Sequence, residues 1–207
     1  MCYDFFVSVL LGKGEKTRRK IIRRAAPVFN QRGYSGTSLS ELMEETGLEK
    51  GGIYRHFESK EELAVAAFDY AWDEIRRVRL AALDQIPSPL GKLHGMVDTF
   101  AAKPSAISGG CALMNTAIDA DDGNPTLRSH AQSAMREWLE YLESTVRQGV
   151  AKGEIKRGTS PPSIASNIIS TLEGSLMISR LIGNRTPLCL AREHLHRMLD
   201  GVTTQVQ

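Results

Sequence analysis

Seven residues between positions 50 and 60 have the side-chain types that contact a polyanion. They are Lys50, Gly51, Gly52, Tyr54, Arg55, His56 and Lys60. Amino, guanidinium, imidazole and phenol groups can donate hydrogen bonds to phosphate oxygens, and Lys or Arg can also read a base edge. The two glycines have no Cβ, so the backbone there could approach a phosphate or a base closely. This group predicts a nucleic-acid contact rather than a catalytic centre.

The neighbouring residues predict the helices that would hold this group in place. Ser38 followed by Glu41 has the spacing of a capping box, which predicts the start of a short helix. Gly47 predicts its end, and a second short helix would follow and present the polar group outward. Ile53 and Phe57 are four residues apart, so they would share the inner face of that second helix. This order of elements is a helix-turn-helix, whose second helix enters the major groove of DNA.

The remainder of the chain has helical periodicity and no convincing strand alternation. The first helix is expected over roughly 15–32, with a local bend at Pro27. A second capping box, Ser59 with Glu62, predicts a long helix that ends before Pro87. The sequence therefore predicts an all-α fold of about nine helices, with a three-helix N-terminal domain and a larger helical C-terminal domain.

Charge is distributed unevenly along the chain. Residues 1–60 contain eleven Lys or Arg and seven Asp or Glu, whereas the remainder contains fifteen and seventeen. Seven basic residues and one acidic residue lie within 13–24. A basic N-terminal third is typical of a polyanion-binding module, although a solvated helix face would have the same composition.

Composition and motifs exclude several classes of protein. Hydrophobic residues make up 42% of the chain and charged residues 24%, as in ordinary globular proteins. The apolar run from Phe5 to Leu11 is too short to cross a bilayer, and three cysteines without a CxxC pair favour the reducing cytoplasm. No catalytic or nucleotide-binding signature occurs, and His194, His196 and Cys189 make only a weak metal site. We expect neither catalytic activity nor a cofactor, a metal or a membrane segment.

Residues 16–63 resemble the DNA-binding domain of the TetR family of bacterial transcriptional regulators. The resemblance rests on Gly-Tyr-x-Gly-Thr-Ser at 33–38, Ile-Tyr-x-His-Phe at 53–57 and Ser-Lys-Glu-x-Leu at 59–63. These three motifs are together highly specific, and they lie at the N-terminus, where the family keeps this domain.

The resemblance implies two domains and a set of DNA contacts. The DNA-binding domain would span 1–58, and an effector-binding and dimerisation domain would span 59–207. Residues 1–12 form an apolar extension where the family usually has a short polar arm, and Pro27 is a second departure. The positions that match the family's phosphate and base contacts are Thr37, Ser38, Lys50, Gly51, Gly52, Tyr54, Arg55, His56 and Lys60.

The last two helices are expected to form the interface of a homodimer. Apolar residues lie on more than one side of the helix from 163 to 182, so this helix needs more than one partner. Ser166, Ser170 and Gly174 form a row of small residues that would let a partner helix approach closely. The family usually dimerises through its last two helices, which favours this surface. Burial of the helix within its own monomer is the alternative.

The resemblance also implies an effector pocket among the middle helices. Its candidate lining residues are Trp72, Phe100, Cys111, Met114, Asn115, Ile118, Trp138, Tyr141, Glu173 and Met177. Because apolar and aromatic side chains predominate, we expect a small, mostly hydrophobic effector, with ordinary core packing as the alternative for each residue. Cys111 follows two glycines at an expected helix start, where the helix dipole favours a thiolate. A redox or electrophile sensor is therefore a second functional hypothesis.

Together these features predict a ligand-responsive repressor in the bacterial cytoplasm, associated with the nucleoid when bound to DNA. A homodimer would occupy a palindromic double-stranded operator. Effector binding would shift the long helix after Ser59 and change the separation of the two recognition helices. Repression is the usual mode of the family, and activation is the alternative because the sequence does not set the sign of regulation.

Overall fold

The computed structural model describes residues 12–102 and 104–204, which form nine α-helices and no strand. The helices are α1 (Lys13–Gly36), α2 (Leu39–Thr46), α3 (Lys50–Tyr54), α4 (Lys60–Ala81), α5 (Pro89–Ala102), α6 (Ala112–Ala120), α7 (Pro125–Ala151), α8 (Pro161–Leu181) and α9 (Thr186–Gly201). The all-α prediction is confirmed. None of these helices is long and apolar enough to cross a membrane. The apolar extension predicted over 1–12 lies, apart from Gly12, outside the described residues.

The contacts divide the chain into two compact units. The first comprises Met1–Asp73 and Ile107–Ala131, and the second comprises Glu74–Ala106 and Gln132–Gln207. This division differs from the predicted boundary at residue 58, because the first part of α4 and all of α6 group with α1, α2 and α3. The unit that contains the helix-turn-helix is therefore built from two separate stretches of sequence.

Helix α1 is the central packing element of the first unit, and it contacts both α2 and α6. Its inner side is apolar and includes Ile21, Ile22, Ala25 and Ala26, all of which are buried. The backbone dihedrals stay helical at Pro27, contrary to the predicted loosening there, and leave the helical region only at Gly33, where φ is +74°. Burial of the residues next to Pro27 supports the helix where the proline removes one backbone hydrogen bond.

A cluster of polar contacts joins the end of α1 to the segment that leads into α6. Asn30 Nδ2 donates to the carbonyl oxygens of Ser108 (2.9 Å) and Gly110 (3.3 Å). Asn115 Nδ2 lies 2.9 Å from the carbonyl oxygens of Asn30 and Gly109. Gly109 has φ +112°, and a Cβ there would lie 2.9 Å from the Asn30 side chain and backbone. Only glycine can occupy this position without displacing Asn30.

A second contact between α1 and α6 lies at the break in α1. Asp119 Oδ2 accepts a hydrogen bond of 2.7 Å from the backbone amide of Tyr34. A Cβ on Gly33 would lie only 2.6 Å from Asp119 Oδ1, so the carboxylate and the glycine fit closely together. The backbone leaves the helical region at Gly33, directly after the predicted end of the first helix at about residue 32. Helix α6 therefore holds the chain at the point where it enters the helix-turn-helix.

The second unit is built around α5, α8 and α9, which pack against one another. Its most buried apolar side chains include Leu93, Val97, Ile168, Leu172, Leu195 and Leu199. After α9 the chain pairs with the segment that precedes α8, because Lys156 N donates to Val202 O (2.9 Å) and Thr204 N donates to Glu154 O (3.0 Å).

Glu154 caps the start of α5, and we expect its loss to destabilise the second unit. Its Oε2 accepts from Ser88 Oγ (2.6 Å) and from Leu90 N (3.0 Å). Glu154→Ala would leave both donors without this acceptor, at a cost of about 1–3 kcal/mol in the free energy of unfolding. Urea unfolding of the variant and of the wild type measures this cost.

The contribution of Glu154 should also depend on pH. Burial alone would raise the pKa of Glu154, but the bonds from Ser88 and Leu90, with the charge of Lys152, hold it below the ordinary 4.5. The unfolded chain therefore binds the proton more readily, so the stabilisation is present above about pH 4.5 and is lost as the pH falls through the lowered value. Glu154→Ala should therefore lack this pH dependence, whereas Glu193→Gln, an exposed substitution on α9, is the matched control and should keep the pH dependence of the wild type.

Candidate DNA-binding surface

The start and the end of the first helix of the helix-turn-helix are determined by one complete capping box and one glycine. Ser38 Oγ accepts from Glu41 N (3.2 Å), and Glu41 Oε2 accepts from Ser38 N (2.8 Å), as the sequence predicts. These bonds from Ser38, together with Arg32, lower the pKa of Glu41. Helix α2 ends at Gly47, where φ is +69° and the amide donates to Met43 O (2.9 Å). The chain can therefore turn sharply from α2 into α3.

The second predicted capping box forms only in part. Ser59 Oγ accepts from Glu62 N (3.0 Å) as expected. The Glu62 carboxylate, however, accepts from the amide of Glu58 (2.6 Å), one residue earlier than the box requires. It also forms an ion pair of 3.2 Å with Arg18 of α1, so it links the start of α4 to the first helix.

Helix α3 is short and is held from beneath by two buried side chains. Ile53 is 1% exposed and Phe57 is 2% exposed, as the four-residue spacing predicts. Lys50 and Gly51 of α3 are exposed, as is Arg55, which directly follows the helix. Within the part of the chain that the structure describes, no acidic side chain pairs with Arg55. This surface therefore presents two charged hydrogen-bond donors, Lys50 and Arg55, beside the exposed backbone of Gly51.

Two lysines of the site lie beside tyrosine rings. Lys50 Nζ is 5.9 Å from the ring centroid of Tyr54, and Lys60 Nζ is 4.4 Å from that of Tyr34. Burial lowers the pKa of Lys60, while Asp119 and Glu41 act in the opposite direction. Sequence reasoning missed Tyr34 and Asp119 as members of this site. The Gly-Tyr dipeptide of the 33–38 motif was the available signal for Tyr34.

The structure corrects the assignment of Thr37 as a side chain that contacts DNA. Thr37 is 2% exposed, and its hydroxyl donates to the carbonyl oxygen of Gly33 (2.6 Å). The hydroxyl therefore stabilises the turn before α2. Ser38 is exposed but caps α2, and His56 and Gly52 are half-buried. The exposed members of the predicted contact set are Ser38, Lys50, Gly51, Tyr54 and Arg55.

Much of the basic charge of α1 is paired within the first unit. Arg24 lies 3.7 Å from Glu45, and Arg32 contacts Glu41. Arg18 forms an ion pair with Glu62, and its guanidinium lies 4.7 Å from the ring centroid of Phe57. These arginines therefore hold α2 and α4 against α1. The excess of basic residues within 13–24 is in part structural.

The ten candidate effector residues are divided between the two compact units, with five in each. In the first unit are Trp72, Cys111, Met114, Asn115 and Ile118, and in the second are Phe100, Trp138, Tyr141, Glu173 and Met177. Two assignments are corrected by exposure: Ile118 is 68% exposed and Met177 is 57% exposed, so neither lines an enclosed cavity. Asn115 is engaged with Asn30. The Phe100 and Trp138 rings lie 6.1 Å apart, with the Arg79 guanidinium 4.2 Å from the Phe100 centroid.

An open groove of about 320 Å³ lies in the second unit. It is lined by Lys92, Glu137, Glu140, Tyr141, Ser144, Thr145 and Gln148. Of the predicted effector residues only Tyr141 borders it, and burial and Asp84 raise the pKa of that phenol. Each of its seven lining side chains carries a hydrogen-bonding group, whereas the sequence predicts a mostly apolar set of lining residues.

Cys111 lies at the N-terminal cap of α6, as expected, but it is only 2% exposed. The exposed cysteine within the described ranges is Cys189. Brief treatment of the native protein with dilute iodoacetamide should therefore modify Cys189 and leave Cys111 unmodified, the reverse of the order that the sequence suggests. Peptide mapping measures this, with urea-unfolded protein as the control in which both thiols react. Preferential labelling of Cys111 would restore the sensor hypothesis.

Comparison with known proteins identifies the family. Residues 21–67 match the model of the bacterial regulatory proteins of the tetR family, and residues 89–195 match that of the tetracyclin repressor-like C-terminal domain. A TetR transcriptional regulator from Chloroflexus aurantiacus has 41% sequence identity and a TM-score of 0.89, over 94% of this chain and 99% of its own. The HTH-type transcriptional repressor DhaR of a Mycobacterium species (strain GP1) is 24% identical, over 83% of this chain and 86% of its own.

The fold also matches that of a family member solved with DNA. A cysteine mutant of the regulator CifR, in complex with a 26-base-pair operator, has 24% identity and a TM-score of 0.76, over 86% of this chain and 94% of its own. The two family models match residues in both compact units. The helix-turn-helix, with its caps and its exposed donors, lies within the residues that match the N-terminal model. The chain belongs to the TetR family of bacterial transcriptional regulators, and it is a DNA-binding helix-turn-helix protein rather than an enzyme.

Proposed function

We propose that this chain is a homodimeric, ligand-responsive repressor that binds a palindromic operator through helix α3. The observation that carries the proposal is the exposure of Lys50 and Gly51 on α3 and of Arg55 directly after it, in a segment anchored by buried Ile53 and Phe57. An exposed charged helix that is fixed from beneath can enter a major groove without rearrangement. Tyr54 and Lys60 would supply phosphate contacts that set its register.

The dimer would form through α8 and α9. These helices and the loop between them hold most of the large apolar side chains that are exposed within the described residues, namely Met177, Ile178, Leu181, Ile182 and Leu190. Soluble monomers rarely leave such a contiguous apolar surface uncovered, and a second copy of the chain would bury it. Ser166, Ser170 and Gly174 lie at four-residue intervals on α8, so a partner helix could approach closely there.

The effector would bind in the second unit and change the position of α4, and with it the separation of the two recognition helices. Both half-sites engage only when that separation matches about one helical turn of DNA, roughly 34–36 Å, or a multiple of it. The effector releases DNA only to the extent that it binds more tightly to the conformation in which the separation of the recognition helices does not match the operator. The hydrogen-bonding groups on the seven side chains that line the 320 Å³ groove favour a small molecule that can hydrogen-bond over a wholly hydrophobic one. Such a repressor would work in the bacterial cytoplasm, at the nucleoid when bound.

Gly51→Ala tests whether α3 approaches DNA through its backbone. No atom lies within 4 Å of a Cβ placed at Gly51, so the free protein accommodates alanine. Alanine also favours a helix by about 1 kcal/mol, so thermal stability should stay the same or rise. Operator affinity should nevertheless fall at least about tenfold, because the added methyl group would meet the DNA surface. Gel shifts on an operator selected from random duplexes measure the affinity.

Gly201→Ala is the matched control, because its Cβ would also meet nothing within 4 Å and it lies at the end of α9. It should leave operator affinity unchanged. Equal affinity of the Gly51→Ala variant and the wild type would mean that α3 does not lie against DNA. A separate experiment, a reporter gene under the selected operator, would distinguish repression from activation.

A further inference from the structure

Two histidines meet where α5 packs on α9, apart from the DNA-binding surface. His94 Nδ1 and His196 Nδ1 are 2.5 Å apart, while the ring centroids are 4.8 Å apart and the ring planes differ by 9°. The distance between the centroids exceeds the distance between the nitrogens by about twice the distance from an imidazole centroid to one of its ring atoms. Both nitrogens must therefore lie on the line that joins the centroids, so the two rings are coplanar and meet edge to edge. This is the alignment of a hydrogen bond between two imidazoles.

The outer nitrogen of each ring faces a carboxylate. His196 Nε2 lies 2.9 Å from Asp98 Oδ1, and the same oxygen accepts from Arg192 Nε at 2.5 Å. His94 Nε2 lies 3.6 Å from Asp200 Oδ1. A ring nitrogen that faces a carboxylate is stabilised when it bears a proton, which fixes the tautomer of the ring.

Two neutral imidazoles have only two ring protons for these four nitrogens. One proton belongs on His196 Nε2, beside Asp98, and a second must lie between the two Nδ1 atoms, where two lone pairs would otherwise face each other. His94 Nε2 is then left without a proton opposite Asp200. One additional proton fills that position, and every contact of the cluster is then a donor facing an acceptor. A further proton would place hydrogens on both Nδ1 atoms.

We propose that His94 and His196 form a shared-proton pair, which can bind one additional proton but not two without losing the bridging hydrogen bond, and so works as a pH-responsive joint between α5 and α9. The singly protonated pair joins the two helices through the bridging hydrogen bond. The doubly protonated pair places two N–H groups and two positive charges against each other, and forces the rings apart. Acidification therefore opens this joint.

Burial and the surrounding charges disfavour two positive charges on the pair. Burial and the charge of His196 lower the pKa of His94, while Asp200 and Asp98 act against that shift. Asp98 is on α5, Arg192 and Asp200 are on α9, and α8 contributes none of the groups that shift His94. Hydrogen bonds from Arg192 and His196 outweigh burial and keep the pKa of Asp98 low, so this carboxylate stays charged as the pair titrates.

The test is a titration of the full-length protein with isotope-labelled histidine, followed by NMR of the ring nitrogens from about pH 8 to about pH 5. We expect His94 and His196 to change together and to gain one proton between them over this range. His94→Gln and His196→Gln assign the signals, and each should convert the remaining ring to an ordinary single-step titration. Uptake of a full proton by each ring, independent of the other, would overturn the proposal.

Two further measurements keep the proposal falsifiable if a histidine variant folds poorly. Asp200→Asn alters an exposed side chain, and it should weaken uptake of the additional proton and leave the bridging bond intact. Equimolar Zn²⁺ at about pH 7.5 should leave both Nδ1 signals in place. Stoichiometric displacement of both signals by Zn²⁺ would assign the pair as a metal site instead.

Thermal unfolding provides a readout of the joint itself. Because the pKa of His94 is lowered by folding, its contribution is present above about pH 6.5 and is lost as the pH falls below that value. Below that pH the unfolded chain binds one proton more than the folded protein, so we expect the Tm of the wild type to fall by about 3–5 °C for each pH unit. His196→Gln should flatten this dependence, and His194→Gln, an exposed neighbour on α9, should not. Identical pH dependence in all three proteins would show that the joint does not respond to pH.

Discussion

Gly174→Trp should convert the protein into a monomer that no longer binds its operator. A Cβ at Gly174 meets no atom within 4 Å in the single chain, so the indole can be accommodated on the surface of α8. In the proposed dimer the same indole would stand between two closely packed helices beside exposed Met177 and Leu181. Because each monomer reaches only one half-site, loss of the dimer removes most of the affinity for a palindrome.

Light scattering measures the dimer and gel shifts measure operator binding. Circular dichroism should show unchanged helicity, because the substitution leaves each monomer folded. Gly174→Ala is the graded control, since a single methyl group should weaken the dimer far less than an indole. A Gly174→Trp protein that stays fully dimeric would place the interface on another surface.

Arg55→Ala and Lys50→Ala should each reduce discrimination between the operator and random duplex by about 1–3 kcal/mol if the side chain reads a base edge. Both side chains are exposed, Lys50 at the start of α3 and Arg55 directly after its end, and Arg55 has no acidic partner within residues 12–102 and 104–204. Arg197→Ala, an exposed arginine on α9, is the charge-matched control. It lowers the net charge equally and should leave discrimination unchanged.

Tyr54→Phe and Lys60→Ala should have a different effect, because phosphate contacts do not depend on sequence. Affinity for operator and random duplex should fall together, and Lys60→Ala should reduce the salt dependence of log K by about one unit. Gel shifts at several salt concentrations separate the two patterns. If all four variants bind as the wild type does, α3 is not the recognition helix.

The local signals in the sequence were sufficient for the helices around the site. The Ser38–Glu41 box, the turn at Gly47 and the anchors Ile53 and Phe57 all depend on residues within a few positions of one another. Short-range hydrogen bonding and helical spacing determine such features, so they can be read without the tertiary fold.

The features that the sequence did not reveal depend on distant contacts. Burial of Thr37 and Cys111 is set by packing, and Asp119 enters the site only because α6 lies against α1. The exposure of Ile118 and Met177 was missed for the same reason, because helical periodicity identifies an apolar face and does not identify its partner. Dihedrals at Pro27 remain helical because neighbouring burial supports the helix there.

The contacts between α1 and α6 have a consequence for synthesis on the ribosome. Asn30 bonds to residues 78 to 85 positions later, and Tyr34 bonds to Asp119, 85 positions later. At about 5–20 residues per second, several seconds separate the emergence of the helix-turn-helix from that of α6. During this interval the nascent chain lacks the carboxylate that fits against Gly33, and its basic first helices are incompletely supported. Competence to recognise an operator should therefore arise only after residue 119 has left the exit tunnel.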